Sequence, residues 1–220
     1  MLKFLVSAAI LMMGLWLIRK YLNDQRSIQH AKSHLFDEVL ALLDGAKLKQ
    51  EGNDFPQVSG SFSGYEVKLS LIADTVAVRK IPPLWLLITI QGKATIEGSF
   101  DLIVRPNNNE FYSPAWQWNG NLQVPSHWPQ HAVIKYQDSL IDVAKIDALV
   151  PLVFADERTK ELLITPSVLR ITYMAKQAER GEYLIMRNSV FSGEAIAVEV
   201  VEKVLKQAIV IRKLLEKDAV

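Results

Sequence analysis

Leu84-Trp85-Leu86-Leu87-Ile88-Thr89-Ile90, entered through Pro82-Pro83, is the run that decides the fold. Only Thr89 interrupts its apolar character, so it lacks the in-out alternation of a half-exposed strand. It is also far shorter than the roughly 20 residues needed to cross a bilayer as a helix. Such a run predicts a strand buried on both faces, at the centre of a sheet. The flanking sequence supplies partners. Upstream, Tyr65, Val67, Leu69 and Leu71 alternate with polar residues, as a half-buried strand does, and Thr75 to Arg79 reads as another strand. The polar, Gly/Ser-rich stretch Glu51 to Ser63 marks the entry to this β region. Downstream, Ala94 to Val104 alternates and ends at the turn composition Arg105-Pro106-Asn107-Asn108-Asn109. Phe111 to Gln130 is irregular.

Later in the chain, Glu161 to Thr165, Val168 to Ala175 and Tyr183 to Val190 read as three further strands, with Gly181 in a hairpin between the last two. The links are too short for crossover helices, which predicts mainly antiparallel pairing. Helical periodicity appears in three places. Ile28, Ala31, Leu35, Val39 and Leu42 recur at spacings of three and four before Gly45. Ser139 to Val150 carries a capping-box spacing from Ser139 to Asp142 and stops at Pro151. After Ser192, a candidate cap, Ala197, Val201, Val204, Ala208, Ile211 and Leu215 form a seam, widened by Val200, Leu205, Ile209 and Leu214. A stripe that wide predicts packing on a sheet, with oligomerisation as the alternative.

At the N-terminus an apolar run from Phe4 to Ile18 is bracketed by Lys3 and Arg19-Lys20. The end of the run and the residues after it, Leu17 to Tyr21, offer no small-x-small cleavage site, so the run reads as an uncleaved signal anchor. Its length as a helix is about 22 Å against a hydrocarbon core of about 30 Å. Snorkelling of Lys3, Arg19 and Lys20 and interfacial seating of Trp16 and Tyr21 are expected to make up the difference. The basic residues after the run favour a cytoplasmic body. The expectation is therefore a single-pass protein of the inner cell membrane. Residues 1–22 form the transmembrane anchor, 23–50 a juxtamembrane helix or stalk, and 51–220 an α+β body whose mainly antiparallel sheet is packed by a long C-terminal helix.

Composition narrows the function. The chain has 25 Lys and Arg against 24 Asp and Glu, with no basic cluster, which argues against nucleic acid as a partner. It has no cysteine, so thiol catalysis and thiolate metal sites are excluded. No phosphate-cradling glycine loop and no nucleophile elbow are present.

Phe154-Ala155-Asp156-Glu157 and Leu162-Leu163-Ile164-Thr165-Pro166, followed by a hairpin and a long closing helix, resemble bacterial membrane-anchored proteins of uncharacterised function. The resemblance spans Phe154 to Leu215, under a third of the chain. It implies a membrane-tethered α+β domain and carries over no functional residues.

Two groups of side chains invite a chemical reading. His30 and His34 lie one helical turn apart with Glu38 a turn further, a spacing that could present two imidazoles and a carboxylate to zinc. The residue after His30 is Ala31 where catalytic zinc helices carry glutamate, and a solvated stalk face is the ordinary explanation. His127 and His131 repeat the spacing in a loop. The second group is aromatic: Phe111, Tyr112, Trp116, Trp118 and Trp128 sit among Asn, Gln, Ser and Pro, as in a ligand or partner site, as a seal over the sheet, or as residues resting in the headgroup layer near the anchor. Arg79-Lys80 before Ile81-Pro82-Pro83 suits a sheet edge. Arg170 and Arg187 read as exposed-face residues of alternating strands.

These features point to a membrane-anchored binding or scaffolding module rather than an enzyme, with no cofactor. The alternatives are a subunit of a larger membrane complex or a membrane-associated hydrolase whose catalytic residues have no sequence signature. Expected partners are the bilayer, through residues 4–18, and a protein or second copy, through the stalk or the C-terminal helix.

Overall fold

A computed structural model describes residues 2–76, 80–92, 96–108 and 110–216. The chain begins with one helix, α1 (Leu2–Ser33). Its run of Leu, Ala, Met, Lys, Arg and Gln contains no proline, so nothing breaks it. At its end Ser33 Oγ donates to the His30 carbonyl at 2.8 Å. A 3-10 turn, His34–Phe36, then changes the helical phase and turns Leu35 and Phe36 into the core. The short α2 (Asp37–Leu40) adds Val39.

The strands are β1 (Asp44–Lys49), β2 (Gln57–Phe62), β3 (Tyr65–Ala73), β4 (Pro83–Gln91), β5 (Phe100–Val104), β6 (Gly120–Leu122), β7 (Ala132–Tyr136), β8 (Thr159–Ile164) and β9 (Val168–Gln177). Among the described residues they form a single nine-stranded sheet in the order β1-β2-β3-β4-β9-β8-β5-β7-β6. Every strand pair is antiparallel. Leu84 to Ile90 lies at the heart of it, paired with β3 on one side and β9 on the other. The architecture is α+β.

Register divides the sheet into two faces. One carries Leu69, Ile88, Ile171, Leu162 and Leu102 as successive cross-strand partners. All of these are fully buried. Across this face lies α5 (Val198–Leu215), in contact with β4 and β9. Its Val201, Val204, Leu205, Ala208, Ile211 and Leu215 are buried, so the chain's own sheet covers the C-terminal seam. The opposite face carries Trp85, Leu87, Thr172, Arg170, Glu161 and Asp101, and a long segment from Arg105 to Trp118 crosses it.

Several expectations need correction. Among the described residues no helix is long and apolar enough to cross a membrane. That overturns the transmembrane anchor, the single-pass topology and the inner-membrane localisation. The physical reason is length: the apolar run stops at Ile18, and α1 continues through Arg19, Lys20, Asp24 and Arg26 without a break. The stretch Tyr183 to Val190 is not a strand. The chain forms α4 (Arg180–Met186) there, with Gly181 inside the helix and Arg187 in left-handed conformation at its end. Ser139 to Val150 is not a continuous helix. It holds a 3-10 turn at Val143–Lys145 and then α3 (Val150–Val153), with Pro151 in the first turn of α3. The cap of α5 is Ala197, not Ser192. Arg170 is largely buried rather than on an exposed face. The strand expected at Thr75 to Arg79 falls partly on 77–79, outside the described residues.

Candidate functional site: a clamped aromatic segment

The segment after β5 has a fixed footing. Arg105, with φ 49°, turns the chain out of the sheet, and its Nη2 donates to the Glu157 carbonyl and, at 3.0 Å, to that of Thr159. Lys160 Nζ donates to the carbonyls of Val104 and Arg105 at 3.0 and 2.6 Å and pairs with Glu110 Oε1 at 2.9 Å. Burial lowers the Lys160 ammonium below the usual lysine range, against the pull of Glu110. Burial would raise Glu110, but the Asn107 amide and Lys160 outweigh it and hold the carboxyl below its ordinary value.

Beneath the segment lies a second buried group. Arg170 donates from Nε to Glu161 Oε2 at 3.2 Å and from Nη2 to Glu161 Oε1 at 3.1 Å. The same Nη2 reaches the Tyr112 carbonyl at 2.9 Å. Thr172 Oγ1 donates to Glu161 at 2.5 Å. Ser113 Oγ donates to Asp101 Oδ2 at 2.6 Å and accepts the Ala115 amide at 3.1 Å. Burial, then the charge of Glu161, push Asp101 well above the usual carboxylate range, against Ser113, Arg170 and the Ala115 amide. Among the described residues its Oδ1 has no hydrogen-bond partner, nor does the buried Tyr112 hydroxyl. Burial and the charges of Glu161, Glu110 and Asp74 hold that phenol well above its ordinary range.

These groups can clamp but not react with a substrate. Asp101, Glu161 and Thr172 are all 0% exposed, so no molecule in solvent reaches them. Their chemistry is that of a charged peg holding a loop to a sheet, with each buried charge paired or neutralised as burial requires.

The aromatic residues singled out by sequence divide accordingly. Trp128 is in the core, its ring edge-on to Phe100 at 6.1 Å, and its Nε1 donates to Asp147 at 3.0 Å. Trp118 is buried. Tyr112 is half-buried, between Trp85 and Phe111. Phe111 and Trp116 remain 56% and 37% exposed. The structure thus presents two of the five to solvent, on the segment that the buried charges pin.

His30 and His34 do share a face, their Nε2 atoms 3.3 Å apart, and His34 Nδ1 lies 2.5 Å from Asp37 Oδ2. Asp37, not Glu38, is the neighbouring carboxylate, because the 3-10 turn shifts the phase. Among the described residues no cluster of three or more His, Asp or Glu side chains could hold a metal ion. His127 pairs with Asp147 at 2.8 Å.

Asp101, Glu110, Ser113, Lys160, Glu161 and Thr172 escaped the sequence reading. The available signal was charge inside strands with apolar neighbours: Asp101 between Phe100 and Leu102, and Lys160-Glu161 before Leu162-Leu163-Ile164.

No protein-family model matches the chain, and no curated protein matches it. Among solved structures it is similar to the mycobacterial trehalose monomycolate transport factor A, TtfA, at 14% identity and a TM-score of 0.40, over 80% of this chain and 77% of that one. A likeness of that strength carries no argument about function.

Proposed function

We propose that the chain is a binding or scaffolding module that meets a partner protein through the clamped segment, with Phe111 and Trp116 as the contact residues. The observation that supports this reading is the pairing of two exposed aromatics with a backbone fixed from below by buried ion pairs. Rigid aromatic anchors lose little entropy on binding and dominate many protein interfaces. Catalysis has no comparable support, because the titratable groups with displaced protonation in this region are sealed from solvent.

The test is site-specific photo-crosslinking in the cell of origin, with the reactive side chain at position 111 or 116 and a control at Glu157. Discrete adducts at the first two positions and none at the third support the proposal. Equal adducts at all three, or none at 111 and 116, overturn it.

A second reading rests on a separate observation. Ile10, Leu11, Met12, Met13, Leu15, Trp16, Leu17 and Ile18 are all more than half exposed on α1, more contiguous apolar surface than a solitary chain ordinarily shows. Membership of a larger assembly through α1 would cover it. Sedimentation of the full chain tests this: a monomer across the micromolar range removes self-assembly as the explanation.

A further inference from the structure

The junction of α1 with the body forms a cavity of about 310 Å³, open on one side to solvent. Ile28, Leu35, Phe55, Val190 and Phe191 supply apolar wall, and Lys32 supplies the cationic group at its edge. The cavity is held at two points. A Cβ on Gly193 would lie 3.2 Å from that of Ala31, so the 188–193 segment rests directly on the helix. The Ile196 amide donates to the Leu35 carbonyl at 2.9 Å. Phe55 and Phe191 meet edge-on at 6.0 Å and form one end of the wall.

Lys32 is placed unlike an ordinary surface lysine. Its Nζ donates to the Asn53 carbonyl at 2.5 Å and stands 4.5 Å over the Phe55 ring. It is half-buried, and Asp54, whose charge acts on it, does not make an ion pair with it. An ammonium carries three donors, and Asn53 accepts from one. The cation therefore faces an apolar pocket with hydrogen-bonding capacity to spare. Desolvation, opposed by Asp54, lowers its pKa below the usual lysine value, and an anion placed beside it would raise it again.

We infer that this cavity binds a small carboxylic acid with a short aliphatic tail, the carboxylate on Lys32 and the tail between Leu35, Phe55 and Phe191. The volume is at the small end of the roughly 300–1,000 Å³ typical of ligand sites, which selects a single short chain over a two-tailed lipid. The site is independent of the aromatic segment on the other face of the sheet.

Calorimetric titration of the full chain with decanoate, below its micelle concentration, tests the inference. Decanol, with the same tail and no charge, is the comparison. Saturable one-site binding of decanoate, at least about tenfold tighter than decanol, is the expected result, since a charge-assisted contact contributes at that level. Lys32→Met should remove the preference for the acid, and Lys32→Arg should keep it. Equal binding of acid and alcohol, binding unaffected by Lys32→Met, or no saturable binding would overturn the inference. The acid-to-alcohol comparison on the unaltered chain decides the question even if a variant fails to fold. Adventitious uptake along the exposed part of α1 would appear as binding that ignores both the charge and Lys32.

Discussion

Arg170 grips Glu161 twice, Nε to Oε2 at 3.2 Å and Nη2 to Oε1 at 3.1 Å, between adjacent strands of the sheet. Removing one partner alone leaves the other as an unpaired charge. Glu161 is completely buried, so Arg170→Met should destabilise the fold by about 3–5 kcal/mol. The double variant Arg170→Met, Glu161→Leu should recover part of that loss. Urea denaturation of the three chains checks both statements; a cost below about 1 kcal/mol would mean the pair is not a clamp.

Asp101 predicts the sign of a pH effect. Its carboxyl has a raised pKa in the folded chain, so between its unfolded value of about 3.9 and the higher folded value the native state holds the extra proton. Rising pH through that window therefore lowers stability. Asp101→Asn removes the titration, and its stability should decline less than that of the unaltered chain from pH 4 toward neutrality, about the range over which ordinary carboxylates ionise. Parallel pH curves for the two chains would refute the assignment.

Gly98 has φ +84°, and a Cβ there would fall 2.6 Å from the Leu140 carbonyl carbon and 2.7 Å from the Ile141 amide. Neither atom is a side-chain end that can swing aside. Gly98→Ala combines left-handed strain with a backbone clash and should cost more than about 2 kcal/mol. Gly64, with φ +83° and open space around it, is the control: Gly64→Ala should cost about 1–2 kcal/mol, the conformational part alone.

The outer part of the N-terminal helix should contribute little to stability, and the 3-10 turn that follows the helix should contribute much. Ile10 to Leu22 project into solvent, whereas Leu35 and Phe36 are buried. A chain lacking residues 2–26 should keep the thermal midpoint of the full chain by circular dichroism. Phe36→Ala should lose about 3–5 kcal/mol. A large drop on truncation would show that the outer helix packs on the body in solution.

The sequence made the centre of the sheet legible because Leu84 to Ile90 could satisfy its apolar side chains in only one way. It misled where distant contacts outbid local ones. Ser139 and Asp142 have capping-box spacing, yet the Ser139 carbonyl accepts the Ser99 amide at 2.8 Å and Gln137 exchanges two hydrogen bonds with Ser99. Those tertiary bonds hold the chain extended, and Asp142 (ψ 88°) does not enter a helix. Tyr183-Leu184-Ile185 has strand composition, but Ile185 is 81% exposed in a two-turn helix; apolar runs this short do not announce their period. β1, β2 and β6 escape the sequence reading because strands rich in Lys, Ser, Gly and Asn carry little apolar signal, and β7, Ala132–Tyr136, because five residues are too few to announce a period. The clamp was invisible for a related reason. Its members come from β5, the crossing segment, β8 and β9, and no local spacing links them. Phe111 and Trp116 could be named from composition, but which of the five aromatics face solvent depends on those buried charges.

The strand order also sets a timetable for synthesis. β4 gains β3 as a neighbour early, but its other neighbour is β9, so Leu86 waits for Tyr173. While the intervening chain leaves the ribosome, the most apolar strand of the protein has one unsatisfied backbone edge. α5, which seals the same region, emerges later still. Contacts so distant in sequence slow folding, and an unpaired apolar edge invites association between nascent chains. The slow step of folding therefore belongs to the end of this sequence, and holdase protection should matter most before residue 168 is made.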